Sequence, residues 1–366
     1  GRGTPMAEPS YIHIPVEELQ SFVTRIFLAT GCARKEAARI AEHLVGANLA
    51  GHDSHGVVRV PRYVEWQQAG YVVAGRTVEV VNDGGAFALL DGQFGFGQTV
   101  AEQATEFGIA RAIEQGAAVV GLRNAGHIGR VGDYAEMAAR AGLISIHFVN
   151  VAGSVLVAPF GGAERRFSTA PFCVGVPLPG GPVILDFATS LVAEGKVLVA
   201  SNGGKPLPED ALITAEGALS SDPRTLYGDY PPVGPRNPAA GTGAIRAFGG
   251  HKGSGLALMC ELLAGALTGG GTSGPVAARG RIANGMLSVF LSPRHFGDEA
   301  AFQQAAREYL DWVKSCRPAN PEEPVLLPGE PEKRRRQERM VSGVPLTPET
   351  WQSILDTAAR LGVEAP

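Results

Sequence analysis

The amino-acid sequence predicts an α/β protein of about two domains. The segment 99–149 alternates a helix pattern at 99–113, a strand pattern at 117–122, a helix pattern at 131–141 and a strand pattern at 143–149. Such alternation indicates helices packed on a sheet. The chain has 366 residues, 45% of them hydrophobic and 19% charged, which is enough to bury a large core and to divide into domains of roughly 150 residues.

Both ends of the chain are predicted to be helical. Near the start, five apolar residues recur at helical spacing: Leu19, Phe22, Val23, Ile26 and Phe27. Gly31 follows where a left-handed cap belongs. A second helix is predicted at 34–50, directly before the histidine-containing sequence 51–56 (GHDSHG). Near the other end, apolar spacing predicts a helix at 302–313, and Thr347 is placed to cap a last helix.

The remaining segments predict strands, one helix and long loops. Strands are expected at 183–187 and 286–291, with a helix from about 255 to 267 between them. The segment 201–243 is rich in Gly, Pro and Asp, which indicates long surface loops. The basic run 333–336, with Arg339, is predicted to form a solvated face. A contact with a cofactor phosphate is the alternative.

Composition restricts the classes of partner. The net charge is −4 and the pI near 6.1, so no broad positive field attracts nucleic acid or an anionic membrane. No stretch of roughly 18 uncharged apolar residues predicts a membrane span, and no secretory signal is recognised. The four cysteines lack the close pairing of a zinc or redox site. We therefore expect a soluble cytoplasmic protein that binds small molecules.

The strongest local cluster is His55, Arg59 and Tyr63, which are spaced by four residues. On one helix they would face the same side, but Pro61 is expected to break the helix and start a new one. An imidazole that moves a proton, a guanidinium that grips a carboxylate at two points and a phenol that donates a hydrogen bond suit a 2-oxo acid. The structural alternative is a helix end whose side chains make ordinary hydrogen bonds.

The same segment leaves a metal site open as an alternative. His52 and His55 are three residues apart with Asp53 between them, and His127 is a further candidate ligand, which would suit a metal-dependent hydrolase. A catalytic metal usually needs three protein ligands, and no zincin-type pattern is present. The sequence therefore predicts no metal.

Two glycine-rich loops are further candidates. His127 lies in the connection 124–129 between a predicted strand and the next helix, where catalytic residues are common; bracing of the turn is the alternative. The segment 248–255 places His251 and Lys252 among glycines at a helix start, which favours a phosphate, although tight packing explains it equally well. The Walker A spacing and the GxGxxG fingerprint are absent. Either no dinucleotide binds, or a fold other than Rossmann holds it.

Taken in order, seven groups of residues cover most of the chain: 51–56 with Arg59, Pro61 and Tyr63; Gly126-His127 with 134–136; 159–162; 186–190 with Gly195-Lys196; 221–223; 249–253 with Glu261; and 328–330. With these motifs the chain resembles the type 2 malate/L-lactate dehydrogenase family. Within that family it is most similar to the hydroxycarboxylate dehydrogenase branch. The family consists of NAD(P)-dependent oxidoreductases whose cofactor domain is not Rossmann-like.

The resemblance implies an α/β (α+β) fold with two domains. A helical substrate and dimerisation domain would be built from both chain ends, 6–85 and 296–366. An NAD(P)-binding domain at 86–295 would contain a largely antiparallel sheet. The resemblance also implies a homodimer.

The resemblance assigns roles to particular residues. His55 and His127 would be catalytic, with His55 as the acid/base on the substrate oxygen, and Ser54, Arg59 and Tyr63 would bind the substrate. The residues expected to contact the dinucleotide are Asp186, Phe187, Ala188, His251, Lys252, Gly329 and Glu330. The cofactor is NAD or NADP, with no preference predicted. Since hydride transfer belongs to the nicotinamide, the protein has to position the reactants and complement their charge.

The sequence departs from the family in two places. It has Ala170 in the segment 168–171, where many relatives have asparagine, and 150–158 is about two residues longer. We predict reversible reduction of a small 2-oxo acid to its 2-hydroxy acid. The alternative in the same family is reduction of a cyclic imine such as piperideine- or pyrroline-2-carboxylate. A non-catalytic relative is the remaining rival, motivated only by Ala170.

Overall fold

The computed structural model describes residues 10–232, 235–275 and 281–366, so residues 6–9 of the predicted helical domain lie outside the described part. The helices are α1 Val16–Ala29, α2 Arg34–Leu49, α3 Val60–Gln68, α4 Gly97–Gln115, α5 Gly132–Arg140, α6 Glu194–Ser201, α7 Arg224–Tyr227, α8 His251–Cys260, α9 Pro293–Phe296, α10 Glu299–Lys314, α11 Glu330–Ser342 and α12 Pro348–Arg360. A π-helix, Glu261–Ala266, continues α8.

The strands are β1 Ile12–Ile14, β2 Glu79–Asp83, β3 Phe87–Asp91, β4 Ala117–Ala125, β5 Ile144–Ala152, β6 Pro171–Val176, β7 Val183–Ala188, β8 Leu212–Ile213, β9 Leu219–Ser220, β10 Ala244–Ile245, β11 Ala283–Leu291 and β12 Val344–Leu346. The main sheet has the order β2-β3-β4-β11-β5-β6-β7. Its neighbouring strands are antiparallel except for the parallel pair β3 and β4. The predicted α/β class with a largely antiparallel sheet is confirmed.

Both ends of the chain share one hydrophobic core. Strand β1 pairs with β12, and the apolar stripe of α1 packs with α2, α3 and α12. The predicted stops and caps are present: Gly31 has φ 101° after α1, and the Thr347 hydroxyl accepts from the Thr350 N–H at 3.2 Å at the start of α12. Because these signals are local, the sequence predicted them well.

Two further cores lie in the middle of the chain. One is formed by the main sheet with α4 and α5. The other lies beneath 156–257 and includes the small sheet β10-β8-β9, so the predicted loop region 201–243 carries short strands and one short helix. No described helix is both long and apolar enough to cross a membrane.

Helix α8 begins four residues earlier than predicted. Gly249 and Gly250 have φ values of 58° and 63°, a left-handed conformation that only glycine adopts readily, so the chain can turn sharply and enter the helix at His251. Gly253 lies inside the helix because a Cβ there would come within 2.2 Å of the Phe248 carbonyl oxygen. Glycine is required at this position because the backbone of Phe248 packs closely against the helix, and not because the segment is a loop.

Candidate active site

The turn that carries His55 is held by a buried asparagine from α2. Asn48 is 1% exposed. Its Oδ1 accepts from the Val57 N–H at 2.9 Å, and its Nδ2 donates to Asp53 Oδ1 at 2.8 Å. The buried amide thus satisfies backbone and side chain of the turn together. A Cβ on Gly56 would lie 2.3 Å from Asn48 Oδ1, so this position has room only for glycine.

Gly56→Ala is expected to destabilise the protein by about 1–3 kcal/mol, because the added methyl displaces Asn48 and releases the turn. Chemical denaturation measures the loss. Gly46→Ala is the matched control: it lies in α2, nothing is within 4 Å of its added Cβ, and alanine favours the helix. Equal stability of Gly56→Ala and the wild type would contradict the role of Asn48.

The structure brings His55, Arg59 and Tyr63 to one place, but not on one helix. Two 3₁₀ turns, Asp53–His55 and Val57–Arg59, precede α3, and Pro61 stands in the first turn of α3. The predicted break therefore lies where the proline ring would have clashed with a preceding carbonyl. Convergence is produced by the two turns and by Asn48.

His127 joins this group from the loop after β4. Its ring stacks on His55, with centroids 5.6 Å apart and planes at 23°. Its Nδ1 lies 2.6 Å from the hydroxyl of Tyr63, and the same hydroxyl accepts from Gln98 Nε2 at 2.9 Å. Since the phenol accepts from Gln98, its own proton is available to His127 Nδ1. We therefore assign the neutral imidazole its remaining proton at Nε2.

Both imidazoles are held neutral. Burial lowers the pKa of His55 to about 3, and the charge of Arg59 acts in the same direction. Burial also lowers the pKa of His127 well below its usual range, again with help from Arg59 and then His55. The Nδ1 of His55 is buried and has no hydrogen-bond partner among the described residues. A buried polar atom without a partner indicates a group that acts on a ligand.

Arg59 is oriented with its donor pair free. Its Nε donates to the Ser54 carbonyl oxygen at 2.8 Å, and no described residue accepts from its two terminal amino groups. The Ser54 side chain lies against Gly195 at the start of α6, where a Cβ would come within 2.9 Å of the serine Cβ. The substrate-side residues predicted from sequence therefore lie together, with a guanidinium ready for a planar anion.

Two of the side chains considered for a metal site, those of His52 and Asp53, make other contacts. His52 Nε2 lies 3.2 Å from Glu332 Oε1, and Asp53 forms an ion pair with Arg339 at 2.7 Å. The described residues contain no group of three or more His, Cys, Asp and Glu side chains placed to hold a metal. Arg339 is 9% exposed, so the predicted solvated face was wrong for this residue, although 333–336 are exposed.

Asp186 lies on a second part of the site, a cleft of about 250 Å³. Gly329 and Glu332 line the same cleft. Asp186 Oδ2 accepts from the Gly132 N–H at 2.8 Å, at the start of α5, and no described residue donates to Oδ1. Burial raises the pKa of Asp186, whereas His52 and Arg130 oppose that shift. The structure thus brings Asp186 and Gly329 together, close to the His52 side of the substrate group.

Glu330 makes local contacts instead of pointing into the cleft. Its Oε1 accepts from the Leu327 N–H at 2.8 Å, and its Oε2 pairs with Lys314 at 2.7 Å. Gly329 has φ 96°, and a Cβ there would approach the Ile184 nitrogen to 3.3 Å. Gly329 and Glu330 therefore hold the start of α11 close to β7.

The other predicted cofactor residues lie side by side. Phe187 contacts Phe248, with ring centroids 5.2 Å apart, and the Phe248 N–H donates to the Thr189 carbonyl at 3.0 Å, just beyond Ala188. His251 and Lys252 follow at the exposed N-terminus of α8. A glycine-preceded helix N-terminus with an adjacent lysine suits a phosphate.

Ala170, where the sequence departs from the family pattern, lies in a buried segment whose polar backbone groups are hydrogen-bonded. Ala170 is buried, and its carbonyl accepts from the Thr189 hydroxyl at 2.8 Å. Ser168 accepts from the Ala170 N–H at 3.4 Å.

Sequence reasoning missed Asn48, Gln98, Arg130 and Asp133. Three of the four are buried or nearly buried polar residues within or beside helices, and Asp133 makes close hydrogen bonds to two side chains. Polar residues are common on helices and only burial distinguishes these. A polar residue on the apolar side of a predicted helix, such as Asn48 in α2, is the one signal that could have found them.

The comparisons with known proteins identify the family. The family model "Malate/L-lactate dehydrogenase" matches residues 14–355. Hydroxycarboxylate dehydrogenase B of Escherichia coli (strain K12) is 39% identical over 351 residues, which are 95% of this chain and 94% of that protein. A solved Escherichia coli structure superposes with a TM-score of 0.89 at 39% identity and covers 96% of each chain.

A structure of Δ1-piperideine-2-carboxylate reductase from Pseudomonas syringae pvar. tomato superposes with a TM-score of 0.79 at 28% identity. The match covers 95% of this chain and 100% of that one. The family model and the relatives define an oxidoreductase that acts on hydroxy acids, as predicted. The chain belongs to the malate/L-lactate dehydrogenase family.

Proposed function

We propose that this protein is an NAD(P)-dependent enzyme that interconverts a small 2-oxo acid and its 2-hydroxy acid. The observation that carries the proposal is the pairing of two groups without partners among the described residues: the buried Nδ1 of His55 and the terminal amino groups of Arg59. One group can exchange a proton and the other can hold a carboxylate on the adjacent carbon. These are the two requirements of a 2-oxo acid.

In this proposal Arg59 binds the substrate carboxylate and His55 moves the proton at the substrate oxygen. The bound nicotinamide supplies or accepts the hydride. In the direction of oxidation, neutral His55 accepts the hydroxyl proton. In the direction of reduction it donates a proton. The positive charge of Arg59 lowers the pKa of His55. A bound substrate carboxylate offsets that charge, so substrate binding raises the pKa and makes the imidazole easier to protonate.

His127 and Tyr63 orient the substrate. With Nδ1 occupied by the Tyr63 hydroxyl, His127 has an Nε2–H to donate to a substrate oxygen. Tyr63 is 2% exposed and acts through His127. Ser54 positions Arg59 through its carbonyl oxygen.

The residues proposed for the dinucleotide fit such a ligand. Asp186 offers a carboxylate oxygen without a described donor, which suits a ribose hydroxyl. The α8 start at His251 and Lys252, after Gly249 and Gly250, suits the pyrophosphate. Phe187 and Ala188 lie between them. Gly329 closes the cleft, whereas the contacts of Glu330 favour a supporting role.

Tyr63→Phe is expected to lower kcat/KM roughly tenfold, the loss that corresponds to one neutral hydrogen bond. His127 loses the donor that sets its tautomer, and Gln98 loses its acceptor. Steady-state kinetics with one 2-oxo acid measure the change. Tyr71→Phe is the control, because no described residue hydrogen-bonds its hydroxyl. An unchanged Tyr63→Phe enzyme would remove the tyrosine from the site.

The two directions of the reaction are expected to differ in pH dependence. Reduction needs protonated His55, and its protonated fraction falls tenfold per pH unit above the pKa of about 3. We therefore expect kcat/KM for reduction to fall with a slope near −1 between about pH 6 and pH 9. Oxidation uses neutral His55, which is already fully populated there. A level profile for reduction would contradict His55 as the donor.

The first test is consumption of NADH or NADPH by the purified protein with a panel of 2-oxo acids and cyclic imine acids. Turnover of the 2-oxo acids supports the proposal and ranks the two cofactors. No turnover of any substrate with either cofactor refutes it.

A cyclic imine reductase is the second candidate, favoured by the likeness to the piperideine-2-carboxylate reductase structure. Such a substrate also presents a carboxylate for Arg59, and a protonated ring nitrogen replaces the ketone oxygen. A positive nitrogen beside Arg59, however, is electrostatically unfavourable. Turnover of five- or six-membered imine acids without turnover of pyruvate would promote this candidate.

We further propose a cytoplasmic homodimer with the domain division 6–85 and 296–366 against 86–295. The shared core of both chain ends supports this division. The exposed apolar residues Leu258, Met259, Leu262 and Leu267 on α8 and its π-helical continuation support a surface covered by a second copy. Light scattering measures the mass in solution.

A further inference from the structure

A chain of buried charged side chains joins α2 to the Asp186 cleft. His43, on α2, has its Nδ1 2.7 Å from Asp133 Oδ2 and its Nε2 3.2 Å from Glu102 Oε2. Its side chain is 11% exposed, and its ring stacks on Tyr134 at 5.6 Å. None of the roles proposed above uses these residues. They connect the helix before the His55 turn with α4 and α5.

Arg130 occupies the other end of this chain. It is 2% exposed, and one terminal amino group donates to Asp133 Oδ1 at 2.9 Å and to Glu136 Oε1 at 3.0 Å. Its Nε is buried without a described acceptor and lies 4.0 Å from Asp186 Oδ2. The guanidinium therefore stops about one ångström short of a hydrogen bond to Asp186.

This arrangement makes Asp133 the branch point between two positive groups. One of its oxygens faces His43 and the other faces Arg130. A buried guanidinium must find carboxylates, because an uncompensated buried charge is very costly. If Asp133 lost its charge, Asp186 would be the nearest replacement. Arg130, whose Nε already faces Asp186 Oδ2, would then pair with both carboxylate oxygens and occupy the Oδ1 that Asp186 offers to a cofactor.

We propose that Asp133 is a positioning residue of the cofactor cleft: fixed by His43, it keeps Arg130 hydrogen-bonded away from Asp186, which stays available to the dinucleotide. This inference rests on the proposed function, since it concerns the nicotinamide site. It assigns a role to a residue that contacts neither reactant. A buried cluster of ion pairs rarely adds net stability. The positioning role of Asp133 gives a reason for such a cluster beside the cleft.

The charges around His43 support this role. Burial lowers its pKa, but the hydrogen bonds that it donates to Asp133 and Glu102 outweigh that effect and raise the pKa to about 9. The groups that face it are Asp133 from α5 and Glu102 from α4, and Arg39 lies 3.5 Å from Glu102. His43 is therefore positive at neutral pH. As pH rises through about 9, His43 loses its positive charge and holds Asp133 less strongly, so cofactor binding should weaken in that range.

The test compares Asp133→Asn, Arg130→Met and the double variant by fluorescence titration with NADH and NADPH. Asp133→Asn is expected to weaken cofactor binding about tenfold, and the double variant to bind within about threefold of wild type, because Arg130 no longer occupies Asp186. A purely structural role for Asp133 would give no such rescue. Asp83→Asn, the same change in an ion pair with Arg111 that lies partly exposed at the surface, is the control and should bind normally.

Two outcomes overturn the inference: Asp133→Asn that binds like the wild type, or a double variant as weak as Asp133→Asn. If Asp133→Asn does not fold, the KM for the cofactor in wild type and His43→Gln decides. It should rise above about pH 9 in the wild type and lose that dependence in His43→Gln, and a pH-independent wild type overturns the inference. A wild type that oxidises or reduces no substrate refutes the proposed function itself.

Discussion

His55→Gln is expected to lower kcat about a thousandfold and to leave nicotinamide binding nearly unchanged. General acid–base catalysis by one positioned group contributes this order of rate, and glutamine cannot exchange a proton in the neutral range. The substitution preserves hydrogen-bonding capacity and much of the volume beside His127. Steady-state kinetics measure turnover, and fluorescence titration with the reduced cofactor measures binding.

The control for this variant is His13→Gln, because His13 is an exposed residue of β1 far from the site in sequence. It should keep wild-type turnover. If His55→Gln also turned over at the wild-type rate, the proton would have to come from another group, and His127 would be the first to replace in its turn. Loss of cofactor binding in His55→Gln would indicate damage to the fold of the turn.

Arg59→Gln is expected to raise the KM for a 2-oxo acid about a hundredfold, because a charge-assisted, two-point hydrogen bond to the carboxylate is lost. The KM of Arg59→Lys should lie between those of Arg59→Gln and the wild type, since an ammonium carries the charge but not the planar pair of donors. A substrate analogue without the carboxylate, the corresponding aldehyde, should be reduced equally well by wild type and Arg59→Gln.

Arg62→Gln is the matched control for Arg59. Arg62 lies three residues further along, in α3. Its side chain is 53% exposed and makes an ion pair with Glu65 at only 3.8 Å, which contributes little. Its KM should equal that of the wild type. If Arg59→Gln bound the 2-oxo acid normally, the guanidinium would not hold the carboxylate, and the choice between oxo acid and imine would have to be reopened.

The sequence predicted most of the long helices and four of the twelve described strands, β4, β5, β7 and β11, because their signals are local. The apolar stripe of α1, the left-handed Gly31 and the Thr347 cap each involve residues within a few positions of one another. The helix after Gly250 was placed too late because glycines inside α8 resemble loop residues. Their true cause, the contact of Gly253 with the Phe248 carbonyl, involves tertiary packing.

Part of the candidate site was also accessible from sequence. His55, Arg59 and Tyr63 are close in the chain, and His127 lies in a strand-to-helix loop. The roles of Asn48, Gln98 and Asp133 were not accessible, because each depends on which side chain from another element is buried against it. Arg339 illustrates the same limit: a basic run predicts solvation, but its last member is buried against Asp53.

The sequence by itself therefore determined the α/β class, the order of the main helices and of four strands, the family and the residue types available for proton transfer and carboxylate binding. Only the tertiary structure decided which of them meet. It pairs Tyr63 with His127 across 64 residues and Asp53 with Arg339 across 286, and it sets Arg130 just short of Asp186. The physical reason is that propensities and caps act within a turn or two, whereas burial and charge compensation select partners by position in space.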